Sequence, residues 1–130
     1  MQKLELSPTL ARLLVMRGYD MGSAPVFLRP SLRHHLPDPL TLKDMNKAIG
    51  RLVQAITSQE KIVVWGDYDV DGATSSALLH RFFKALNVPI AIYIPDRVKE
   101  GYGPNIPGIQ KFMSQGYTVM ITVDCGTTSF

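Results

Sequence analysis

Apolar residues recur at helical spacing through the first half of the chain and gather into short continuous runs in the second. Ser7-Pro8 followed by Leu10, Leu13, Leu14 and Met16 predicts a capped helix with proline in its first turn, ending near Gly18. Pro25, Pro30, Pro37 and Pro39 then forbid any long helix and predict an irregular arm. Thr41-Leu42-Lys43-Asp44 has the form of a capping box, with Asp where Glu or Gln is usual. Beyond it Met45, Ile49, Leu52, Val53 and Ile56 keep a helical period, which predicts a helix over about 42–58 with that stripe facing a core.

From residue 61 short apolar runs alternate with helical stretches. Strands are predicted at 62–65, 90–94 and 119–123, and a helix at 73–86 with Ala77, Leu78, Phe82 and Leu86 buried. Residues 105–115 predict another helix, confined by Pro107 and Gly108 to its later part. Continuously apolar strands separated by helices indicate a parallel sheet covered on both faces, a three-layer α/β fold. Right-handed crossovers place the carboxyl ends of all three strands along one edge, where open α/β sheets bind ligands. The expected division is a helical leader over 1–60 and an α/β domain over 61–130.

Composition changes this picture little. The chain has 130 residues, 45% hydrophobic and 19% charged, which suits a globular domain. No apolar run approaches the roughly 20 residues that span a bilayer, and the N-terminal stretch lacks the unbroken apolar core of a secretory signal. One cysteine, Cys125, cannot form an intrachain disulfide, so a cytoplasmic location is expected. The net charge of +3 is uneven: residues 1–66 carry nine Lys/Arg against five Asp/Glu, whereas 67–130 carry five against six. Four of those six acids, Asp67, Asp69, Asp71 and Asp124, fall at predicted strand ends.

Asp is common as a helix cap and turn former, and that role suffices for any one of the four. Three at alternate positions leaving a buried strand are different, because like charges held together and desolvated need a cation. Hard divalent ions such as Mg²⁺ or Mn²⁺ take oxygen ligands, and Asp124 at the end of the third strand is placed to add one. Competing motifs fail. An EF-hand loop begun at Asp67 would need Glu where Leu78 stands, and it would need an entering helix instead of a strand. Gly101-Tyr102-Gly103 is followed by Ile106 at the third glycine position of a dinucleotide fingerprint. His34-His35 lies in a proline-bounded loop far from the acids, and His80 is expected on a helix surface.

The segments VVWGDYDVDGATSSALL (63–79), YIPDRVKEGYGPN (93–105) and ITVDCGTTS (121–129), in this order, resemble the N-terminal part of the RecJ family of bacterial exonucleases. That family lies within the DHH phosphoesterase superfamily. RGYD (17–20), FLRPSL (27–32) and DPLTLKDMNKAI (38–49) are similar to the family's leader. The resemblance implies a DHH-type domain holding two Mn²⁺ or Mg²⁺ ions that activate water to attack a phosphodiester. It further implies a 5′→3′ exonuclease that degrades single-stranded DNA to mononucleotides in recombination and repair. Carried over by motif position, Asp69 and Asp71 become ligands, Asp67 a further ligand or a partner that orients them, and Asp124 the second-motif ligand. Arg97, Lys99, Tyr102 and Asn105 become substrate-binding residues: the two cations for phosphates, the tyrosine for stacking on a base.

Family members are several times longer, and their Asp-His-His motif lies downstream of the segment matching VDCGTTS. The chain is therefore expected to be a fragment, inactive alone, a weak binder of metal and prone to self-association through uncovered sheet surface. Two alternatives stand beside this reading. One is a DHH branch acting on small phosphorylated molecules or oligonucleotides; the other is a non-catalytic nucleic-acid-binding piece centred on the basic first half.

Overall fold

A computed structural model of the chain describes residues 5–129, with the side chain of His34 outside the described set. It forms two compact units, Met1–Met45 and Asn46–Phe130. In the first, α1 (Pro8–Met16) starts where the Ser7 side chain accepts the Leu10 amide at 3.3 Å, as the sequence predicts. The proline-rich stretch holds only short pieces, α2 (Ala24–Leu28), α3 (Leu32–His35) and a 3₁₀ turn over Pro39–Thr41. Asp38 caps that turn by accepting the Leu40 amide at 2.9 Å, and the Thr41 hydroxyl donates back to the Asp38 carbonyl. Thr41 is thereby used inside a turn, and Asp44 takes a left-handed φ of 57°. Helix α4 (Met45–Thr57) consequently begins three residues later than the capping-box pattern predicts.

The second unit contains the sheet. Strands β1 (Lys61–Trp65), β2 (Ile90–Tyr93) and β3 (Tyr117–Thr122) pair in parallel in the order β2-β1-β3. The central strand, β1, alternates between two cores. Ile62 packs with Ala55 and Leu52 of α4 and with Phe83 and Leu79 of α5 (Val70–Ala85). Val63 and Trp65 face the other way, onto Phe112 of α7 (Ile106–Ser114) with Tyr93 and Tyr117. Helices on both faces make the three-layer α/β arrangement, and they explain why β1 is apolar at every inward position. Ala55 of α4 is wholly buried in the α5-side core, and the compact units divide between Met45 and Asn46.

Four local expectations are corrected. Helix α5 begins at Val70, not residue 73, because the Asp69 side chain caps it. Its buried face is Gly72, Ser76, Leu79 and Phe83, whereas Ala77, Leu78, Phe82 and Leu86 are exposed, Leu78 at 67%. The two stripes have the same periodicity, and the choice is made by Gly72, where a Cβ would collide with the Asp67 carbonyl. Ile49 and Val53 of α4 are likewise exposed, with Leu52, Ala55 and Ile56 inward. Finally, α7 starts at Ile106 with Pro107 in its first turn, where the missing N–H is no loss. Gly108 follows because any side chain there would strike the Trp65 ring.

Glu60 ties three elements together: it takes Arg51 of α4 through two bonds of 3.0 and 2.7 Å and also accepts the Thr118 hydroxyl of β3. The guanidinium and then the hydroxyl hold its carboxyl below the ordinary range. A lowered carboxylate contributes stability that is present above its unfolded value and is lost as pH falls through the folded one. Glu60→Gln is therefore expected to lower the melting temperature at about pH 7, with the difference from wild type vanishing toward about pH 3. A constant difference across that range in thermal denaturation would count against the ionic part of this tie.

Candidate metal centre

The chain leaves β1 for β2 through α5 on one face, then returns past β1 to β3 through α7 on the other. The carboxyl ends of β1 and β3 thus flank the point where the winding reverses, which is where open α/β sheets bind ligands. Past β1 the residues are Gly66-Asp67-Tyr68-Asp69; past β3 they are Val123-Asp124-Cys125-Gly126. Backbone bonds extend the pairing beyond the strands: the Gly66 amide donates to Tyr93 and the Val123 amide to Trp65, both at 2.9 Å.

Carboxylate oxygens of Asp67, Asp69 and Asp124 lie within 4.8 Å of one another at this edge. Asp67 is 7% exposed, set against the start of α5, and accepts the Tyr68 amide at 2.8 Å. That depth requires close approach of helix and loop, and two glycines permit it: Gly72 abuts the Asp67 backbone and Gly66 abuts the buried Ser76 hydroxyl. Asp69 is the N-cap of α5, its Oδ1 accepting the Gly72 amide at 3.0 Å. Asp124 has a left-handed φ of 58°, unusual for a residue with a Cβ but tolerated best by Asp and Asn. Asp71, two residues into α5, is not one of these three, although its charge still bears on Asp124.

The electrostatics are those of crowded acids. Asp69 lies below the ordinary range, held there first by the Gly72 amide and then by the Asp124 carboxyl. Asp124 is pushed up, first by sharing a hydrogen bond with Asp69, then by burial and by the charges of Asp69, Asp71 and Asp67. Like charges held this close resist ionising together. The ion pairs among the described residues, Arg51–Glu60 and Lys99–Asp96, leave all three acids without a cation. An all-oxygen donor set with a buried member fits a hard divalent ion. Cys125 does not join it: its Sγ sits 3.6 Å from the Trp65 carbonyl, and burial and then the Asp67 charge push its thiol up.

The segment after β2 frames the same edge. Asp96 caps α6 (Arg97–Glu100), accepting the Val98 amide at 3.0 Å and the Lys99 amide at 3.3 Å. Glu100 reaches back to the Asp96 amide at 2.9 Å and accepts the Tyr93 hydroxyl. That acceptor, with burial second, pushes Tyr93 up to about 12. Arg97 rests its guanidinium 4.8 Å from the ring of Tyr68, the residue between the two site aspartates. Lys99 pairs with Asp96 at 3.7 Å and is otherwise exposed. Tyr102 donates its hydroxyl to the Asp124 carbonyl at 2.7 Å. Asn105 is occupied as the cap of α7, accepting the Gly108 amide at 2.8 Å. Tyr68, beside the site acids, and Tyr93 and Glu100, which brace the loop after β2, do not stand out in the sequence. Their one visible signal is the Asp96-to-Glu100 spacing, a cap with its return partner.

Residues 61–130 match the DHH family, N-terminal domain. Over 96% of its length the chain is 42% identical to the single-stranded-DNA-specific exonuclease RecJ of Bacillus subtilis, and 33% identical to that of Escherichia coli. It spans 16% and 21% of those proteins. The crystal structure of exonuclease RecJ bound to manganese superimposes with a TM-score of 0.63 at 36% identity, over 68% of this chain and 23% of that one.

Proposed function

The chain belongs to the DHH family, and on that premise we propose that it supplies the acidic metal ligands of a single-stranded-DNA-specific 5′→3′ exonuclease. The observation that carries this is the meeting of Asp67, Asp69 and Asp124 across the β1/β3 switch point. In this reading Asp67, Asp69 and Asp124 hold Mn²⁺ or Mg²⁺, and Asp71 contributes from the first turn of α5. When bound, the ions lower the pKa of water and neutralise charge on the leaving oxygen of the phosphodiester.

The chain's own residues do the rest. The N-cap bond fixes the direction of the Asp69 carboxylate, and the buried setting of Asp67 keeps bulk water from one side of the site. Arg97, steadied on Tyr68, presents its free N–H groups to a phosphate, and Lys99 adds a second positive charge. The exposed ring of Tyr102 offers a base a stacking face. Asn105 serves the substrate indirectly, by starting α7 beside this loop. Action on DNA in recombination and repair, in the cytoplasm, belongs to the same proposal; no helix among the described residues is long and apolar enough to cross a membrane.

The test is digestion of 5′-labelled single-stranded and duplex DNA by the protein of the full reading frame, with Mn²⁺. The expected result is release of labelled mononucleotide from the single strand only, lost in Asp69→Ala. Hydrolysis confined to small phosphorylated molecules would instead place the protein in another DHH branch.

A further inference from the structure

We propose that the Tyr102 hydroxyl makes this residue a positioning residue for the Asp124 carboxylate, acting through the Asp124 backbone and separately from any stacking by its ring. The inference rests on the reading of Asp67, Asp69 and Asp124 as metal ligands.

Asp124 leaves β3 in a left-handed conformation, with φ at 58°. Any residue with a Cβ tends to relax from that region unless its surroundings hold it. The hold is applied on both sides of the residue. Before it, the Val123 amide donates to the Trp65 carbonyl at 2.9 Å and anchors the chain to β1. After it, the Asp124 carbonyl accepts the Tyr102 hydroxyl at 2.7 Å. Rotation of Asp124 back to an ordinary φ would swing both its carbonyl and its Cβ, breaking the second bond and carrying the carboxylate away from Asp67 and Asp69.

The loop that delivers this hydroxyl is built for the reach. Gly101 and Gly103 on either side of Tyr102 both have positive φ, 80° and 78°. Gly103 is buried against the turn it serves: a Cβ there would come within 3.4 Å of the Ser129 hydroxyl and 3.9 Å of the Cys125 Cβ. The turn itself closes tightly, since Gly126, at φ 91°, leaves only 2.9 to 3.0 Å between a Cβ and the Thr122 side chain. Meanwhile Tyr102 is 58% exposed, so its hydroxyl is engaged while its ring remains open. The Gly-Tyr-Gly segment thus acts as a strut from the β2 loop to the β3 turn, with the hydroxyl as its point of contact.

Tyr102→Phe separates this role from base stacking, because phenylalanine keeps the ring and loses only the hydroxyl. In the protein of the full reading frame the expected result is a threefold to tenfold loss of Mn²⁺ affinity by electron paramagnetic resonance of free Mn²⁺, roughly the size of one net hydrogen bond. In the metal-free protein the amide signals of residues 124–126 should move, with the melting temperature within about 2 °C of wild type. Tyr102→Leu should lose no more affinity than the phenylalanine variant. Unchanged affinity in Tyr102→Phe, or unmoved 124–126 signals, overturns the proposal. Should wild type take up no Mn²⁺, the ligand reading itself fails, and the amide signals still decide whether Tyr102 holds Asp124.

Discussion

Asp124→Ala is expected to lower Mn²⁺ affinity by about 100-fold or more and to abolish the stabilisation that the metal confers. Removing a carboxylate from a site of three leaves too few charged oxygens to replace the ion's water shell. In the absence of metal the same change should matter little, since the repulsion relieved among the acids is offset by alanine's poorer tolerance of the left-handed φ that Asp124 adopts. A large loss confined to the metal-bound protein distinguishes a ligand from a structural residue. The measurement is a thermal melt of wild type and variant with and without Mn²⁺. At a hundredfold excess over its dissociation constant the ion adds about 2.7 kcal/mol to a protein that binds it only when folded. A Mn²⁺-dependent rise preserved in Asp124→Ala would remove this residue from the site. Asp69→Ala should lose binding equally but also destabilise the metal-free chain, because Asp69 caps α5 and a lost cap costs about 1 kcal/mol.

Gly72→Ala should have the largest effect on folding. The added methyl meets the Asp67 carbonyl carbon at 2.6 Å and its Cα at 2.7 Å, backbone atoms that cannot rotate aside. Either α5 shifts outward or the 66–69 loop moves, and the buried face of Ser76, Leu79 and Phe83 is disturbed in both cases. Overpacking of this kind costs about 3 kcal/mol, a fall of about 12–24 °C in melting temperature for a unit this size. Mn²⁺ binding should fall with it, because the same backbone carries Asp67. Gly50 provides the contrast: it sits in α4 with nothing within 4 Å of where a Cβ would stand, so Gly50→Ala should stabilise by about 0.5–1 kcal/mol. If both substitutions behave alike, close approach at Gly72 is not what sets the helix in place.

The strands are readable because each is a run of apolar residues whose length and flanks suffice to identify it, and β1, β2 and β3 fall within two residues of their predicted bounds. Helix faces are less readable. On α5 the stripes through Leu78 and through Leu79 are equally periodic, and the large exposed side chains of Leu78 and Phe82 outweigh in hydrophobicity the small Gly72 and Ser76 that are buried. Small residues carry little patterning signal, yet they are what permits a helix to approach a loop closely. The 105–115 helix is under-extended by its sequence pattern for a related reason, since Pro107 and Gly108 break helix interiors but suit a first turn capped by Asn105 and laid on Trp65.

The acids divide along the same line. That Asp67, Asp69, Asp71 and Asp124 closely follow apolar runs is a local property, set by composition and spacing, and the chain's sequence alone determines it. Which of them converge is decided by the tertiary structure. Asp71 is placed in the first turn of a helix that starts at the Asp69 cap, and Asp124 is brought in by the order β2-β1-β3, which seats the third strand beside the first. A cap competes with strand continuation over three residues, and strand order depends on crossovers that cover opposite faces of the sheet. Neither energy is contained in the segment whose side chains it places.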